Sequence, residues 1–154
     1  MRWRKPTTPT SPRSAGNHRV PKDRPYVLIA IGGATGTLLR YAVSRAAPVG
    51  AGTFPTTTLI INVMGALALG LLLGALTRHR PADTLWRPLV GVGVLGGYTT
   101  FSTFAVEAVQ LARADHELTA AVYVTTSIVV GVLAARLGER IAGTPPAMVQ
   151  EDEA

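Results

Sequence analysis

The most distinctive polar segment of this sequence is GGYTTFSTF at Gly96–Phe104, which interrupts an otherwise apolar run. Two adjacent glycines followed by two β-branched threonines disfavour a helix interior, so we predict a local break near Gly96–Thr100. At membrane depth, the backbone groups that a break frees are tolerated only inside the protein or along a polar cavity. Freed carbonyls can bind a small cation, and freed N–H groups at a new helix start can bind an anion.

Two phenylalanines at the end of this segment share one helix face, since Phe101 and Phe104 are three residues apart. Ordinary contact with lipid or with the protein core is the simplest interpretation of both side chains. The edge of an aromatic ring is positively polarised, however. Two ring edges can therefore also line an anion path without trapping the ion.

Neutral polar side chains occur in two further apolar runs. Thr58 and Asn62 are four residues apart, as are Tyr123 and Ser127, so each pair shares a helix face. Such groups either bond one helix to another or line a pore. Asn62 on its own fits both interpretations equally well.

The composition predicts that the protein is not an enzyme. Cysteine is absent, the three histidines lie in a predicted tail or in loops, and no carboxylate lies deep in a predicted span. Neither a general acid–base pair nor a metal site can then be assembled. A proton-coupled exporter is disfavoured for the same reason, because its coupling site would be an ionisable residue within the membrane.

The elements that must position these residues are four hydrophobic spans. Apolar residues make up 47% of the chain, and a helix of about 20 such residues crosses a bilayer. The first span contains Arg40 and qualifies only if that side chain faces the bundle or reaches the interface. We predict an all-α integral membrane protein with a broken third helix and a channel domain at 26–141, its spans at about 26–46, 54–77, 88–111 and 118–137.

Glycines within the spans favour close packing of the helices. Small residues let helix backbones approach in lipid, where no hydrophobic force drives helices together. Three pairs have the required spacing of four residues: Gly32 with Gly36, Gly70 with Gly74, and Gly93 with Gly97.

The two ends of the chain are predicted to be disordered tails, at 1–25 and 142–154, and the first of them is strongly basic. A signal peptide formed by the first tail and Tyr26–Leu39 is a weaker alternative, because no clear cleavage site follows and three more spans do. No nucleic-acid partner is predicted, because neither an aromatic platform nor a folded module accompanies the positive charge.

Short connections make consecutive spans antiparallel, which places both termini and the second connection on one side of the membrane. All but three of the 15 basic residues lie on that side, the exceptions being Arg40, Arg45 and Arg113. The positive-inside rule therefore predicts cytoplasmic termini in a multi-pass protein of the cell membrane.

Over about residues 28–137 the sequence resembles the CrcB/Fluc family of fluoride channels. The resemblance is carried by GGATGTLLRY at Gly32–Tyr41, TLIINVMGALALG at Thr58–Gly70, and GGYTTFSTF at Gly96–Phe104. It implies passive fluoride efflux that lowers fluoride toxicity in the cytoplasm. The alternatives are a small four-span multidrug-type exporter and a membrane subunit that transports nothing.

The resemblance also implies the residues of the pore. Asn62 would donate to fluoride, and the ring edges of Phe101 and Phe104 would line its path. The polar track beside those rings would consist of Thr58, Ser102, Tyr123 and Ser127.

The family resemblance further implies an antiparallel dimer with two pores, in which the broken third helices meet. Main-chain carbonyls of Gly96 and Thr99 would bind a structural sodium ion at its centre, and Arg40 would be a vestibule or structural charge. The strong charge bias departs from the pattern of a subunit that inserts in both orientations. The partner in the dimer is therefore either a second copy of this chain or an oppositely oriented paralogue.

Overall fold

The computed structural model describes residues 24–50, 52–79 and 85–143, and the regular structure within these ranges is entirely helical. This confirms the predicted all-α class. The predicted tails lie outside the described residues except at their inner edges. The elements in chain order are α1 (Arg24–Ala46), α2 (Thr56–His79), a π-helix termed π1 (Arg87–Leu95), α3 (Gly96–Tyr98), α4 (Phe101–Arg113) and α5 (Glu117–Ile141).

Four helical stretches are long and apolar enough to cross a membrane, which confirms the predicted four-span class. In the most apolar segment of each stretch, at most 28% is buried inside the protein. Most of the apolar surface is therefore left to lipid or to another protein molecule. The third stretch runs through π1, α3 and α4. The four are Pro25–Ala46, Thr56–Arg78, Arg87–Arg113 and Glu117–Ile141.

Helices α2 and α5 pack together through glycines. A methyl group at Gly70 would overlap the carbonyl oxygen of Ala135, and one at Gly138 would overlap that of Leu67. Only a residue without a side chain lets the two backbones approach so closely. The predicted packing role of the glycines in α2 is therefore confirmed.

Helix α1 packs in the same way against π1 and α3. A methyl group at Gly32 would overlap the Leu89 carbonyl oxygen, and one at Gly36 would overlap that of Val94. Helix α4, by contrast, packs against α5. The first half of the third span thus belongs with α1, and its second half belongs with the α2–α5 pair.

The third span is interrupted at Thr99 and Thr100, which are termed the break. Both have extended backbones, with φ and ψ of −77° and 160° at Thr99 and −146° and 122° at Thr100. The predicted break is therefore confirmed. Gly96 remains helical, with φ −65° and ψ −35°, so the extended conformation falls on the β-branched residues that favour it.

Candidate functional site

Asn62 of α2 binds both backbone groups of the second residue of the break. The Thr100 N–H donates to Asn62 Oδ1 at 2.8 Å, and Asn62 Nδ2 donates to the Thr100 carbonyl at 3.0 Å. Unpaired backbone groups would be costly at membrane depth, so this pair of bonds stabilises the extended conformation. A primary amide has two N–H donors, and the second remains available to a ligand. The structural and the pore interpretations of Asn62 are therefore compatible.

Thr100 also caps the helix that follows the break. Its Oγ1 accepts a hydrogen bond from the Thr103 N–H at 3.1 Å, as an N-cap residue does. The same hydroxyl lies 3.2 Å from Ser102 Oγ. The N-terminus of α4, where the helix dipole is positive, thus begins at the break.

Arg40 of α1 contacts the segment just before the break. Its Nε donates to the Gly97 carbonyl at 3.2 Å, and the side chain is partly buried. The first span qualifies as membrane-spanning only if Arg40 faces the bundle or reaches the interface, and this arginine does face the helix bundle. The contact supports the structural role, one of the two expected for Arg40, and its part in the site stays a prediction.

Two backbone carbonyls at the break lose the donors that a continuous helix would give them. In such a helix the carbonyl of residue i accepts from the N–H of residue i+4. The Thr100 N–H, which would bond Gly96, goes instead to Asn62 Oδ1. The Thr103 N–H, which would bond Thr99, goes instead to Thr100 Oγ1. Carbonyl oxygens released in this way are suitable ligands for a small hard cation.

A cavity of about 470 Å³ lies against the break, and it joins most of the residues that the sequence singled out. None of the described residues that line it is charged, so it offers neutral donors, apolar walls and ring edges. The predicted site residues on its wall are Asn62, Gly96, Thr99, Phe101, Phe104 and Ser127.

Aromatic rings form a row from the cavity into the protein. The ring centroids of Phe101 and Phe104 are 5.8 Å apart, and those of Phe104 and Tyr123 are 5.2 Å apart. Phe54 meets Tyr123 edge-on at 5.5 Å. Phe101 is 80% exposed at one end of the row, whereas Tyr123 is fully buried. The exposed ring marks a surface that lipid or a second subunit must cover.

Ser127 presents an unpaired hydroxyl to the cavity. Its Oγ is buried and has no hydrogen-bond partner in the described part of the chain. A buried polar group without a partner costs roughly 1–3 kcal/mol, so this atom is prepared to bond something that enters the cavity. Asn62 and Phe104 line the same cavity.

Glu107 of α4 is a polar residue of the site that the sequence analysis missed. Thr58 Oγ1 donates to Glu107 Oε1 at 2.8 Å, and Tyr123 OH donates to Glu107 Oε2 at 2.8 Å. Thr58 is 6% exposed and Tyr123 is fully buried, so both hydroxyl groups are withdrawn from solvent. The carboxylate thus joins α2, α4 and α5.

Glu107 lies somewhat further inside the third span than the sequence places it, because α4 continues six residues past Glu107 to Arg113. The signal was present in the sequence: Glu107 is a single acid between the apolar pairs Ala105–Val106 and Ala108–Val109. An isolated ionisable residue in an apolar helix indicates a functional or bonded group.

The predicted polar track is divided between two places. Ser127 lies on the cavity wall, while Thr58 and Tyr123 lie on the inner side of Phe104 and bond Glu107. Ser102 is exposed on the first turn of α4 beside the N-cap. The ring of Phe104 contacts the rings of both Phe101 and Tyr123.

Comparisons with known proteins give one consistent result. A family model described as "CrcB-like protein, Camphor Resistance (CrcB)" matches residues 27–139. A protein of Streptomyces avermitilis named fluoride-specific ion channel FluC 2 is 39% identical over 120 residues, which cover 78% of this chain and 74% of that protein.

Two relatives come from a single organism, Rhodococcus jostii. Its fluoride-specific ion channel FluC 1 is 44% identical over 115 residues, covering 75% of this chain and 82% of its own. Its fluoride-specific ion channel FluC 2 is 43% identical over 115 residues, covering 75% of this chain and 96% of its own.

Proposed function

This chain belongs to the CrcB-like family, and from that premise we propose that it is a subunit of a fluoride-selective channel in the cell membrane. The observation that carries the proposal is the uncharged cavity in which Asn62, Phe101, Phe104 and Ser127 converge. Fluoride would leave the cytoplasm passively through this path, which would lower its toxicity.

The chemistry of the cavity suits a small, strongly hydrated anion. Fluoride accepts hydrogen bonds readily, so the free Asn62 N–H and the Ser127 hydroxyl can replace water molecules of its shell. The positive ring edges of Phe101 and Phe104 can replace others. Because none of the described side chains that line the cavity is cationic, these side chains do not hold an entering anion too tightly for it to leave.

The Glu107 cluster lies beyond the rings on the same path. Its two donors, the hydroxyls of Thr58 and Tyr123, are directed at the carboxylate. We assign them to the polar track because each hydroxyl can exchange that acceptor for a passing anion. Repulsion by the carboxylate would favour departure of the anion.

The dimer of this proposal is antiparallel and has two pores. Phe101 is 80% exposed on the cavity side, so one subunit leaves its own path uncovered. If the broken third spans of two subunits packed against each other, each subunit would cover the cavity of the other. The opposite subunit is either a second copy or a paralogue, and Rhodococcus jostii holds two such relatives, FluC 1 and FluC 2.

The residues at the break fit the structural sodium ion of the proposal. Gly96 and Thr99 have carbonyls whose helical donors are diverted, and both residues line the cavity. Two subunits would together supply four such oxygens, and oxygen is the ligand that hard cations prefer. When bound, such an ion would supply positive charge to which the partial negative charges of these carbonyl oxygens are attracted.

The competing functions are less well supported. Glu107 supplies the membrane-embedded carboxylate that a proton-coupled exporter needs, so the sequence argument against that class is weakened. The family and its relatives named as ion channels nevertheless favour a channel, which is not an enzyme.

Growth in fluoride tests the proposal in cells. A bacterial strain sensitised by loss of its own fluoride exporter should regain growth when this chain is expressed. Expression alone should suffice if the chain forms homodimers, whereas rescue only on co-expression with an oppositely oriented relative would indicate a heterodimer. No rescue in either case, with the chain present in the membrane, would contradict the proposed function.

A further inference from the structure

We infer that Arg40 is a positioning residue for the proposed sodium site, because it holds the break open through the Gly97 carbonyl. The inference rests on the proposed function, since the sodium ion is part of that proposal. The contact that carries it is the hydrogen bond from Arg40 Nε to Gly97 O, at 3.2 Å and partly buried.

The break persists because side chains compete with the helix for its own backbone groups. A continuous helix would pair Gly97 O with the Phe101 N–H, as well as Gly96 O with the Thr100 N–H. Asn62 takes the Thr100 N–H, and Arg40 occupies the Gly97 carbonyl. Asn62 thereby removes a donor from Gly96 O, whereas Arg40 satisfies a carbonyl whose helical donor, the Phe101 N–H, lies beyond the break.

The two competing side chains come from different parts of the fold. Arg40 belongs to α1, which packs on the first half of the third span, and Asn62 belongs to α2, which packs on α5. One anchor therefore fixes Gly97, two residues before Thr99, and the other fixes Thr100, the last residue of the break. Thr99 is held between them.

Without the Arg40 anchor, the carbonyls proposed as cation ligands would return to helical hydrogen bonds. Without Arg40, Gly97 O would lack its side-chain donor, and a bond from the Phe101 N–H would satisfy it only by winding the first turn of helix across the break. That winding would draw the Thr100 and Thr103 N–H groups away from their present acceptors and back toward Gly96 O and Thr99 O, which would then lose their value as ligands. The charge of Arg40 acts in the opposite direction, because a guanidinium near the site repels a cation.

The guanidinium is strongly bonded to a carbonyl, and a charged donor makes a stronger bond than a neutral one. We infer that positioning outweighs repulsion. The two effects predict opposite results for a variant that lacks both the charge and the donor, which makes them separable by experiment.

The test is the sodium dependence of thermal unfolding of the purified dimer, with sodium titrated against N-methyl-D-glucamine at constant ionic strength. Arg40→Met should raise the sodium concentration at half-maximal stabilisation at least tenfold. Arg40→Lys, which keeps a donor, should restore most of the wild-type midpoint. Arg45→Gln on the same helix is the control and should leave the midpoint unchanged, because Arg45 is exposed.

Each alternative outcome has a definite meaning. An Arg40→Met protein that is less stable by the same amount at every sodium concentration would show a purely structural role and overturn the inference. A lower sodium midpoint would show that repulsion dominates, which also overturns it. If the wild-type protein shows no sodium dependence, both the sodium site and this inference fail, whereas fluoride efflux measured on the same preparation would still decide the channel proposal separately.

Discussion

Asn62 and Thr100 are joined by two hydrogen bonds, one from the Thr100 N–H to Oδ1 at 2.8 Å and one from Nδ2 to the Thr100 carbonyl at 3.0 Å. The side-chain amide of Asn62 thus supplies both hydrogen-bond partners that the backbone of Thr100 would otherwise find in a helix or strand. The bonds hold the break in place and aim the start of α4 at the cavity.

Asn62→Asp should abolish fluoride flux. A carboxylate cannot donate to the Thr100 carbonyl, and its charge repels an anion by about 4 kcal/mol at about 4 Å in an effective dielectric of about 20. That energy corresponds to a reduction of roughly a thousandfold. Fluoride efflux from liposomes measures the loss.

The matched control for this change is Gln110→Glu, which makes the same amide-to-acid substitution on the exposed side of α4. Its efflux should remain close to the wild-type rate. If the Asn62→Asp protein elutes normally and also conducts like the wild type, Asn62 is not a pore residue.

Phe101→Ile should also abolish flux while it preserves the fold. Isoleucine retains apolar bulk but lacks the polarised ring edge that the anion would meet. The ring is 80% exposed, so little packing inside the subunit is lost. Circular dichroism and gel filtration check the fold, and a fluoride electrode records efflux.

Tyr26→Ile is a suitable comparison, because Tyr26 is an exposed aromatic on the first turn of α1, far along the chain from the break. It should conduct as the wild type does. Equal flux in the Phe101 and Tyr26 variants would show that the Phe101 ring does not line the ion path.

Tyr123→Phe should destabilise the protein by about 0.5–2 kcal/mol, the range measured for hydrogen bonds between membrane helices. The substitution removes the bond to Glu107 Oε2 and keeps the ring contacts with Phe54 and Phe104. Thermal or denaturant unfolding measures the change. Tyr41→Phe, at a residue that is 63% exposed, should have no comparable effect.

A double-mutant cycle then identifies the partner. In a Glu107→Gln background, the cost of Tyr123→Phe should fall, because an amide oxygen accepts more weakly than a carboxylate. An unchanged cost in that background would mean that the hydroxyl is not stabilised by Glu107.

Gly32→Ala should prevent normal packing of α1, because the added methyl group would overlap the Leu89 carbonyl oxygen of π1. Backbone cannot move aside as a side-chain end can, so we expect a loss of about 2 kcal/mol or more. Gly33→Ala is the control on the adjacent residue, where a methyl group meets no atom within 4 Å. It should be neutral or slightly stabilising, and equal effects of the two substitutions would contradict the packing described for α1.

The position of the break could be predicted from residue types alone, because paired glycines and paired threonines within a span disfavour a helix locally. What the sequence could not show is which residues hold the break. The bonds from Arg40 to Gly97 and from Asn62 to Thr100 join residues 57 and 38 positions apart, and only the packing of the helices brings them together.

Glu107 was missed for a different reason. Glu107 lies one turn from the end of the predicted third span, a position that does not by itself indicate a buried acid. Its two hydroxyl partners, Thr58 and Tyr123, allow the acid to lie inside the span instead. Polar residues of α2 and α5 were correctly placed on shared faces, but their acceptor was on a third helix.

The most direct test of the central claim is fluoride efflux from liposomes that contain the purified chain, alone and together with an oppositely oriented relative. Vesicles loaded with potassium fluoride and opened to potassium by valinomycin should release fluoride rapidly. Vesicles loaded with potassium chloride should retain chloride, and those holding the Asn62→Asp protein should retain fluoride. Absence of fluoride release from the folded chain in both pairings, or equal release of chloride, would contradict the assignment of a fluoride-selective channel.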